Sequence, residues 1–399
     1  MNDGNQVRSI ALINGRVILP DQIVEHYALV VTNGLISGVT AHPEISRDTE
    51  IVDVGGRYIS PGLIDIHVHG AEGATFNDPT AESFRTITGA CLSRGITSVL
   101  ATIATAAIPD LIASLAMVRA WRASPRSGCA VLGAHLEGPY FSLQQKGAQD
   151  PKHIRTPDDG TVDSLLEYSD IMRIMTFAPE LPGATALASR LSERGVVPAM
   201  GHSDAKDVDV YKAMERGARH AIHLWSGQSS TIREGAWRKP GLLEASLASD
   251  VLTGEMIADN RHLPPTLMKL AWKCFGSDRL CLISDATSGA GLPEGSPFVM
   301  GEMEYVVEGG VGMTLERTSF AGSSTLLNQM VPIVHAEVGV PLPEAVRMAS
   351  LTPARIIGVD DHKGSLESGK DADIAIFNED FSAWKTMIGG HWAGEFPGP

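Results

Sequence analysis

The sequence predicts an α/β protein: a (β/α)8 TIM-like barrel with a small β-sandwich domain formed by both chain ends. Three observations carry that expectation. Eight apolar segments of strand length follow residue 61, and amphipathic segments of helical period lie between most of them. No Gly-x-Gly-x-x-Gly or P-loop follows the first strand, as an open doubly wound sheet would lead one to expect, so closure into a barrel is favoured. Finally, the segments before and after this series are short β runs punctuated by glycine pairs and Asn-Gly. The expected division is residues 1–60 and 353–399 for the two parts of the β-sandwich, and 61–352 for the barrel.

Taken in order, Ile10–Ile13 runs into Asn14-Gly15, Leu29–Val31 leads to Asn33-Gly34, and Ile51–Val54 runs into Gly55-Gly56. Asn-Gly between β-rich runs signals a hairpin, because both central residues of its turn need positive φ. The barrel strands are expected at Leu63–His67, Ser98–Thr102, Val131–Leu136, Ile171–Phe177, Val196–Met200, His220–Leu224, Leu252–Ala258 and Leu280–Ser284. Helices are expected at Ala81–Ser93, Pro109–Arg122, Ala184–Arg194, Val208–Arg216 and Pro264–Phe275. A glycine-rich excursion, Gly289–Gly322, precedes helical stretches near Leu326–Val338 and Pro343–Met348. The tail returns to β character at Gly364–Leu366, Gly369–Phe377 and Thr386–Gly390.

Composition narrows the function. Of 399 residues, 43% are hydrophobic and 20% charged, the balance of a globular chain able to bury a large core. A formal net charge of −15 argues against nucleic acid or an anionic membrane as partner. Cys91, Cys129, Cys274 and Cys281 show no paired spacing, which points to a reducing compartment. No apolar run reaches the roughly 20 residues that span a bilayer, and the start does not read as a secretory signal. A cytoplasmic protein is expected.

The chemistry gathers at strand ends. His67 and His69 sit two apart, so on a strand their imidazoles project from one face. Glu137, His202, His223 and Asp285 stand at the C-terminal ends of the third, fifth, sixth and eighth strands. Barrel active sites are built on that C-terminal rim. Four imidazoles and two carboxylates without a thiolate suit a borderline divalent metal. Glu137 could bridge two ions, one on His67 and His69, the other on His202 and His223. Asp285 is the candidate base. Each residue also has a structural alternative: Glu137 at the Gly138-Pro139 turn, His202 as a helix cap, Asp285 in an Asx turn.

These motifs resemble the amidohydrolase superfamily. The residues are His67-x-His69, Leu136-Glu137-Gly138-Pro139, Ala178-Pro179-Glu180, Gly201-His202-Ser203, His223-Leu224, Ile257-Ala258-Asp259, Ser284-Asp285-Ala286 and Ala321-Gly322-Ser323-Ser324. Within the superfamily they look like N-acetylglucosamine-6-phosphate deacetylases, over nearly the whole chain. The resemblance implies hydrolysis of an N-acetyl group by metal-activated water. Glu137, His202 and His223 would be the core ligands, His67 and His69 would hold a second ion, and Asp285 would serve as general base and then general acid. Zinc is the expected metal, with iron, manganese or cobalt as alternatives. Arg238, before Pro240-Gly241, would grip the phosphate, and His262 follows the Ile-Ala-Asp motif on the substrate side.

Departures cluster around the substrate. Where the family has Lys-Gly-x-His, this chain has Lys146-Gly147-Ala148-Gln149, and after His223 it reads Trp225-Ser226-Gly227-Gln228. Ala148, Gln149, Ser226 and Gly227 are therefore expected substrate contacts with altered chemistry. A neutral amide cannot supply a cationic donor at position 149. The alternatives are a deacetylase for another N-acyl amino sugar, phosphorylated or not, a cyclic-amide hydrolase, and an inactive binding protein on the same scaffold. The expected partners are a small amino-sugar substrate and a second copy of the chain in a homodimer.

Overall fold

A computed structural model of the chain describes residues 8–41, 44–123 and 128–394. Eight parallel strands form one sheet in sequential order: β1 (Leu63–Val68), β2 (Ile96–Ala104), β3 (Ala130–Glu137), β4 (Met172–Phe177), β5 (Val197–Met200), β6 (His220–Ala221), β7 (Thr253–Ile257) and β8 (Leu280–Ile283). The sheet meets itself where the Asp285 N–H donates to the His67 carbonyl at 2.9 Å and the His69 N–H to Ala286 at 2.8 Å. The predicted barrel is thus present, each strand within a few residues of its expected limits. β1 and β2 are buried at every position, as a strand covered on both faces must be. The connecting helices include Ala81–Leu92, Ile108–Ala123, Ala184–Glu193, Asp207–Glu215 and Pro265–Phe275. Thr80 caps the first of them, its hydroxyl accepting from the Ser83 N–H at 3.2 Å.

Both chain ends build the β-sandwich. One sheet contains Leu35–Ala41, Tyr27–Thr32, Ser9–Ile13 and Glu50–Asp53. The other runs His391–Trp392, Ala383–Ile388, Ile374–Phe377, Tyr58–Pro61, Arg16–Ile18 and Ile23–Val24, and Ile374–Phe377 pairs antiparallel with Tyr58–Pro61. Ile10, Leu12, Leu29 and Val31 from one sheet meet Val17, Ile59, Ile374 and Ile376 from the other in a shared core.

Two turn expectations separate here. Asn33-Gly34 closes the hairpin between Tyr27–Thr32 and Leu35–Ala41. Asn14-Gly15 does not make one, because the strands on either side of it belong to different sheets. Asn14 is left-handed at φ 56°, and a Cβ on Gly15 would stand 2.6 Å from Val54 and 2.7 Å from Ile59. The glycine lets the chain cross the sandwich core. Gly364–Leu366 is also not a strand; Leu366 packs into the sandwich core from an irregular segment. The stretch near Leu326–Val338 breaks into short helical pieces around Pro332, which has no N–H to continue a helix. The glycine-rich excursion folds into a four-stranded antiparallel sheet, Pro297–Met300, Met303–Glu308, Val311–Thr314 and Phe320–Ser323.

Lys363 ties the last segment to the sandwich. Its ammonium lies 2.6 Å from Asp373 and 2.9 Å from Asp371, with Lys363 and Asp373 both buried. Burial works against the charged ammonium, but the two carboxylates outweigh it and raise its pKa. Removing one partner of a buried pair strands the other charge, so Lys363→Met is expected to cost about 3 kcal/mol, read as a lower denaturant midpoint.

Candidate metal centre and its cavity

The barrel rim brings all six predicted ligand-type residues to one place. His67 lies inside β1 with His69 just beyond it, and Glu137 is the last residue of β3. His202, His223 and Asp285 each come two residues after the end of their strand. These three are left-handed, at φ 45°, 21° and 48°. Side chains other than glycine rarely adopt that backbone, and such strain concentrates where a site over-determines geometry.

Glu137 is the hub. Its Oε1 is 3.1 Å from His202 Nε2, 3.0 Å from His223 Nε2 and 3.5 Å from His67 Nε2. Its Oε2 is 3.4 Å from His69 Nε2 and accepts from Gln149 Nε2 at 2.6 Å. Asp285 Oδ1 stands 3.3 Å from His69 Nε2 and 3.5 Å from His67 Nε2. Burial opposes ionisation of Glu137, yet hydrogen bonds from His202 and His223, with the His67 imidazole close by, hold its carboxyl well below the usual range. Asp285 behaves alike: burial raises its pKa, but the hydrogen bond from His69 and the nearby imidazoles prevail and lower it.

The donor set fits a metal. His67, His69 and Asp285 offer one ligand atom each within 4.8 Å of one another, as do His67, Glu137 and His223. His67 Nε2 is buried without a hydrogen-bond partner, although two carboxylate oxygens lie 3.5 Å away. Burial disfavours a charged imidazole there, but the carboxylates of Glu255 and Glu137 override it and raise its pKa strongly. A field that attracts a proton to that nitrogen also attracts a cation.

His135 is not part of this set, though its ring packs 4.5 Å from His67, edge on. Its Nδ1 faces the Ile66 carbonyl at 3.2 Å and its Nε2 meets Thr176 Oγ1 at 2.8 Å, so both nitrogens are taken. Burial pushes its pKa down to about 3, and the neighbouring His67 adds to the effect, leaving a neutral core histidine.

A cavity of about 200 Å³ opens over the centre. Ala148, Gln149, Ser226, Gly227 and His262, the expected substrate contacts, line it together with Phe320 from the sheet after β8. Gln149 has both amide ends engaged: besides donating to Glu137, its Oε1 accepts from the Thr105 N–H at 3.0 Å. Gly227 is required by its neighbour, since a Cβ there would sit 2.8 Å from His202 Nδ1, the atom bonded to the Gln145 carbonyl. His262 is oriented through Nδ1, 2.8 Å from Asp259 Oδ2, which also accepts from Ser323 Oγ at 3.0 Å. Arg238 is elsewhere. It stands exposed on the hairpin Ile232–Glu234/Trp237–Lys239, its guanidinium donating to the Ala236 carbonyl. Among the described residues no lysine or arginine lines the cavity.

Sequence reasoning missed Glu255 and His220. Glu255 lies inside β7, fully buried, and its side chain reaches His67 Nδ1 at 2.8 Å and His220 Nε2 at 3.0 Å. A lone glutamate in an apolar strand, paired with a histidine that opens the previous strand, was the available signal.

Residues 58–393 match the model of the amidohydrolase family. An N-acetylglucosamine-6-phosphate deacetylase of Vibrio furnissii is 34% identical over 384 residues, 96% of this chain and 93% of the relative. An N-acetylgalactosamine-6-phosphate deacetylase of Escherichia coli O157:H7 is 32% identical over 383 residues, 95% of this chain and 97% of the relative. The crystal structure of N-acetylglucosamine-6-phosphate deacetylase from Pasteurella multocida superposes with a TM-score of 0.90 at 29% identity, covering 96% of this chain and 99% of that one.

Proposed function

We propose, because the chain belongs to the amidohydrolase family, that it removes the acetyl group from an amino-sugar 6-phosphate, with N-acetylglucosamine-6-phosphate as substrate and glucosamine-6-phosphate and acetate as products. The observation that carries this reading is the convergence of His67, His69, Glu137, His202, His223 and Asp285 under one cavity, in a chain similar over nearly its whole length to deacetylases of this kind. Residues 61–352 would hold the chemistry and the sandwich of both ends would support it.

In this reading Glu137, His202 and His223 hold one divalent ion. His67 and His69, beside Asp285, hold a second, and zinc is the proposed metal. When bound, the metal would polarise the acyl carbonyl and lower the pKa of the attacking water far enough for hydroxide to form near neutral pH. Asp285, ionised at neutral pH, accepts a proton from the attacking water and delivers it to the departing amine nitrogen. Gln149 is held by Glu137 and the Thr105 N–H, so it meets the substrate as a fixed neutral amide. His262, held through Nδ1 by Asp259, lines the cavity and is the proposed polar contact there for the phosphate, with Arg238 on its exposed hairpin as the proposed cationic one.

A second reading keeps the chemistry and changes the sugar. The 32% identical galactosamine-type relative favours the 4-epimer, and the cavity without lysine or arginine favours an unphosphorylated substrate. N-acetylglucosamine and N-acetylgalactosamine, each with and without 6-phosphate, separate these by kcat/KM. The phosphate is expected to raise kcat/KM at least about 30-fold, the lower end for a charge-assisted contact, and Arg238→Ala to erase most of the gain. Equal rates on phosphorylated and plain sugars would overturn the phosphate assignment and leave the deacetylase chemistry standing. No helix among the described residues is long and apolar enough to cross a membrane. A cytoplasmic homodimer completes the proposal, the exposed Trp237 hairpin being the surface a second copy would cover.

A further inference from the structure

Glu255 touches no part of the cavity, yet it is built into the metal centre. It is fully buried inside β7, and its two oxygens face three groups. Oε2 is 2.8 Å from His67 Nδ1 and accepts from the His223 backbone N–H at 3.1 Å, while Oε1 is 3.0 Å from His220 Nε2. His220 is held in turn by Thr253, whose Oγ1 lies 2.7 Å from His220 Nδ1. β6 and β7 are paired at these positions, His220 with Thr253 and Ala221 with Gly254, so the strand register itself brings His220, Thr253 and Glu255 together.

A buried carboxylate can only accept, so the proton between Glu255 and His67 sits on Nδ1. The lone pair of that ring then lies on Nε2, the buried atom without a partner that points between Glu137 and Asp285. We infer that Glu255 is the positioning residue of the metal centre: it fixes the tautomer and ring orientation of His67, and through the His223 N–H it holds the left-handed turn that presents His223. One carboxylate thereby sets a ligand from each half of the site. A carboxylate behind a ligating imidazole also makes that imidazole a stronger donor, and losing such a partner typically weakens metal affinity 10–100-fold. His220 and Thr253 keep the carboxylate facing His67 when no metal is present.

The inference rests on the metal reading of His67, and the test separates the two. Wild type, Glu255→Gln, Glu255→Leu and His67→Asn are loaded with zinc, and metal per chain and affinity are measured by competition with a chromophoric chelator. Wild type is expected to hold two ions. Glu255→Leu should bind the ion on His67 10–100-fold more weakly, with Glu255→Gln in between because its amide still accepts from one imidazole. Added to His67→Asn, Glu255→Leu should still weaken the remaining ion, through the turn that presents His223, but by less than it weakens the His67 ion in wild type. Should the leucine variant fail to fold, histidine-labelled wild-type protein supplies an independent readout by nitrogen NMR. With zinc bound, His67 should carry its proton on Nδ1, slow to exchange with solvent. Two ions at wild-type affinity in both Glu255 variants would overturn the inference, as would a His67 proton on Nε2. Wild-type protein without an ion on His67 would overturn the metal reading of that residue and this inference together.

Discussion

Asp285→Asn is expected to keep the wild-type metal content and to lose turnover by at least about a hundredfold, the lower end for a positioned acid–base group. The asparagine amide has nearly the same shape, so packing behind β8 is undisturbed. What changes is proton capacity. The amide oxygen can still receive a hydrogen bond from His69, but it cannot take a proton from water or return one to the leaving nitrogen. The carboxyl of Asp285 is held below the ordinary aspartate range, so the base form is complete from pH 5 to 8, and the acid limb of kcat/KM in wild type is expected below that window. The variant should be slow throughout it. Metal analysis and steady-state rates on the same preparation check both halves. A variant with full metal and near-normal kcat would remove Asp285 from the proton path.

How much of this was legible in the sequence depends on the kind of information each feature carries. The strands were, because a barrel strand is apolar on both faces and short, and glycine or polar residues mark its ends. The ligands were, because the barrel places chemistry on one rim, so His67, Glu137, His202, His223 and Asp285 could be collected by counting to strand ends. Asn14-Gly15 misled because its local signal is the same whether the two strands pair or part. The contacts that decide, Gly15 against Val54 and Ile59, come from 39 and 44 positions further along. Arg238 was placed by motif, yet a motif carries no information about which way a hairpin points. Glu255 was hidden for a different reason. Its partners His67 and His220 lie on strands one and six, and no spacing along the chain encodes that a glutamate on strand seven faces both. Gln149 lines the cavity at the expected place, but the links that hold both ends of its amide, to Thr105 and Glu137, join the ends of separate strands and have no signature along the chain.

Glu137→Gln is expected to have an effect of similar or greater size on rate, and to differ from Asp285→Asn in losing metal as well. Four imidazoles approach the two oxygens of Glu137, at 3.0 to 3.5 Å. Among the described residues no other is shared by His67 and His69 on one side and His202 and His223 on the other in this way. The glutamine amide offers one oxygen in place of two, and its nitrogen cannot ligate. It also removes one of the two carboxylates, Glu137 and Asp285, that face the Nε2 atoms of His67 and His69, so a dication would enter a site with less compensating charge. Gln149 adds a second penalty. Its Nε2 donates to Glu137 Oε2 and cannot turn away while the Thr105 N–H holds its oxygen, so a glutamine with its nitrogen on that side would set two donors 2.6 Å apart. The oxygen is therefore forced toward Gln149, and the nitrogen is left facing His202 and His223. The ion on those two histidines should be lost first. Turnover is expected to fall about a thousandfold or more, and excess zinc should restore only part of it. His67→Asn is the comparison, because it spares that ion and should keep about half the metal. Elemental analysis after dialysis, followed by kcat with and without added zinc, distinguishes the two variants. If Glu137→Gln kept both ions through dialysis, the bridging assignment would be wrong even were its activity low.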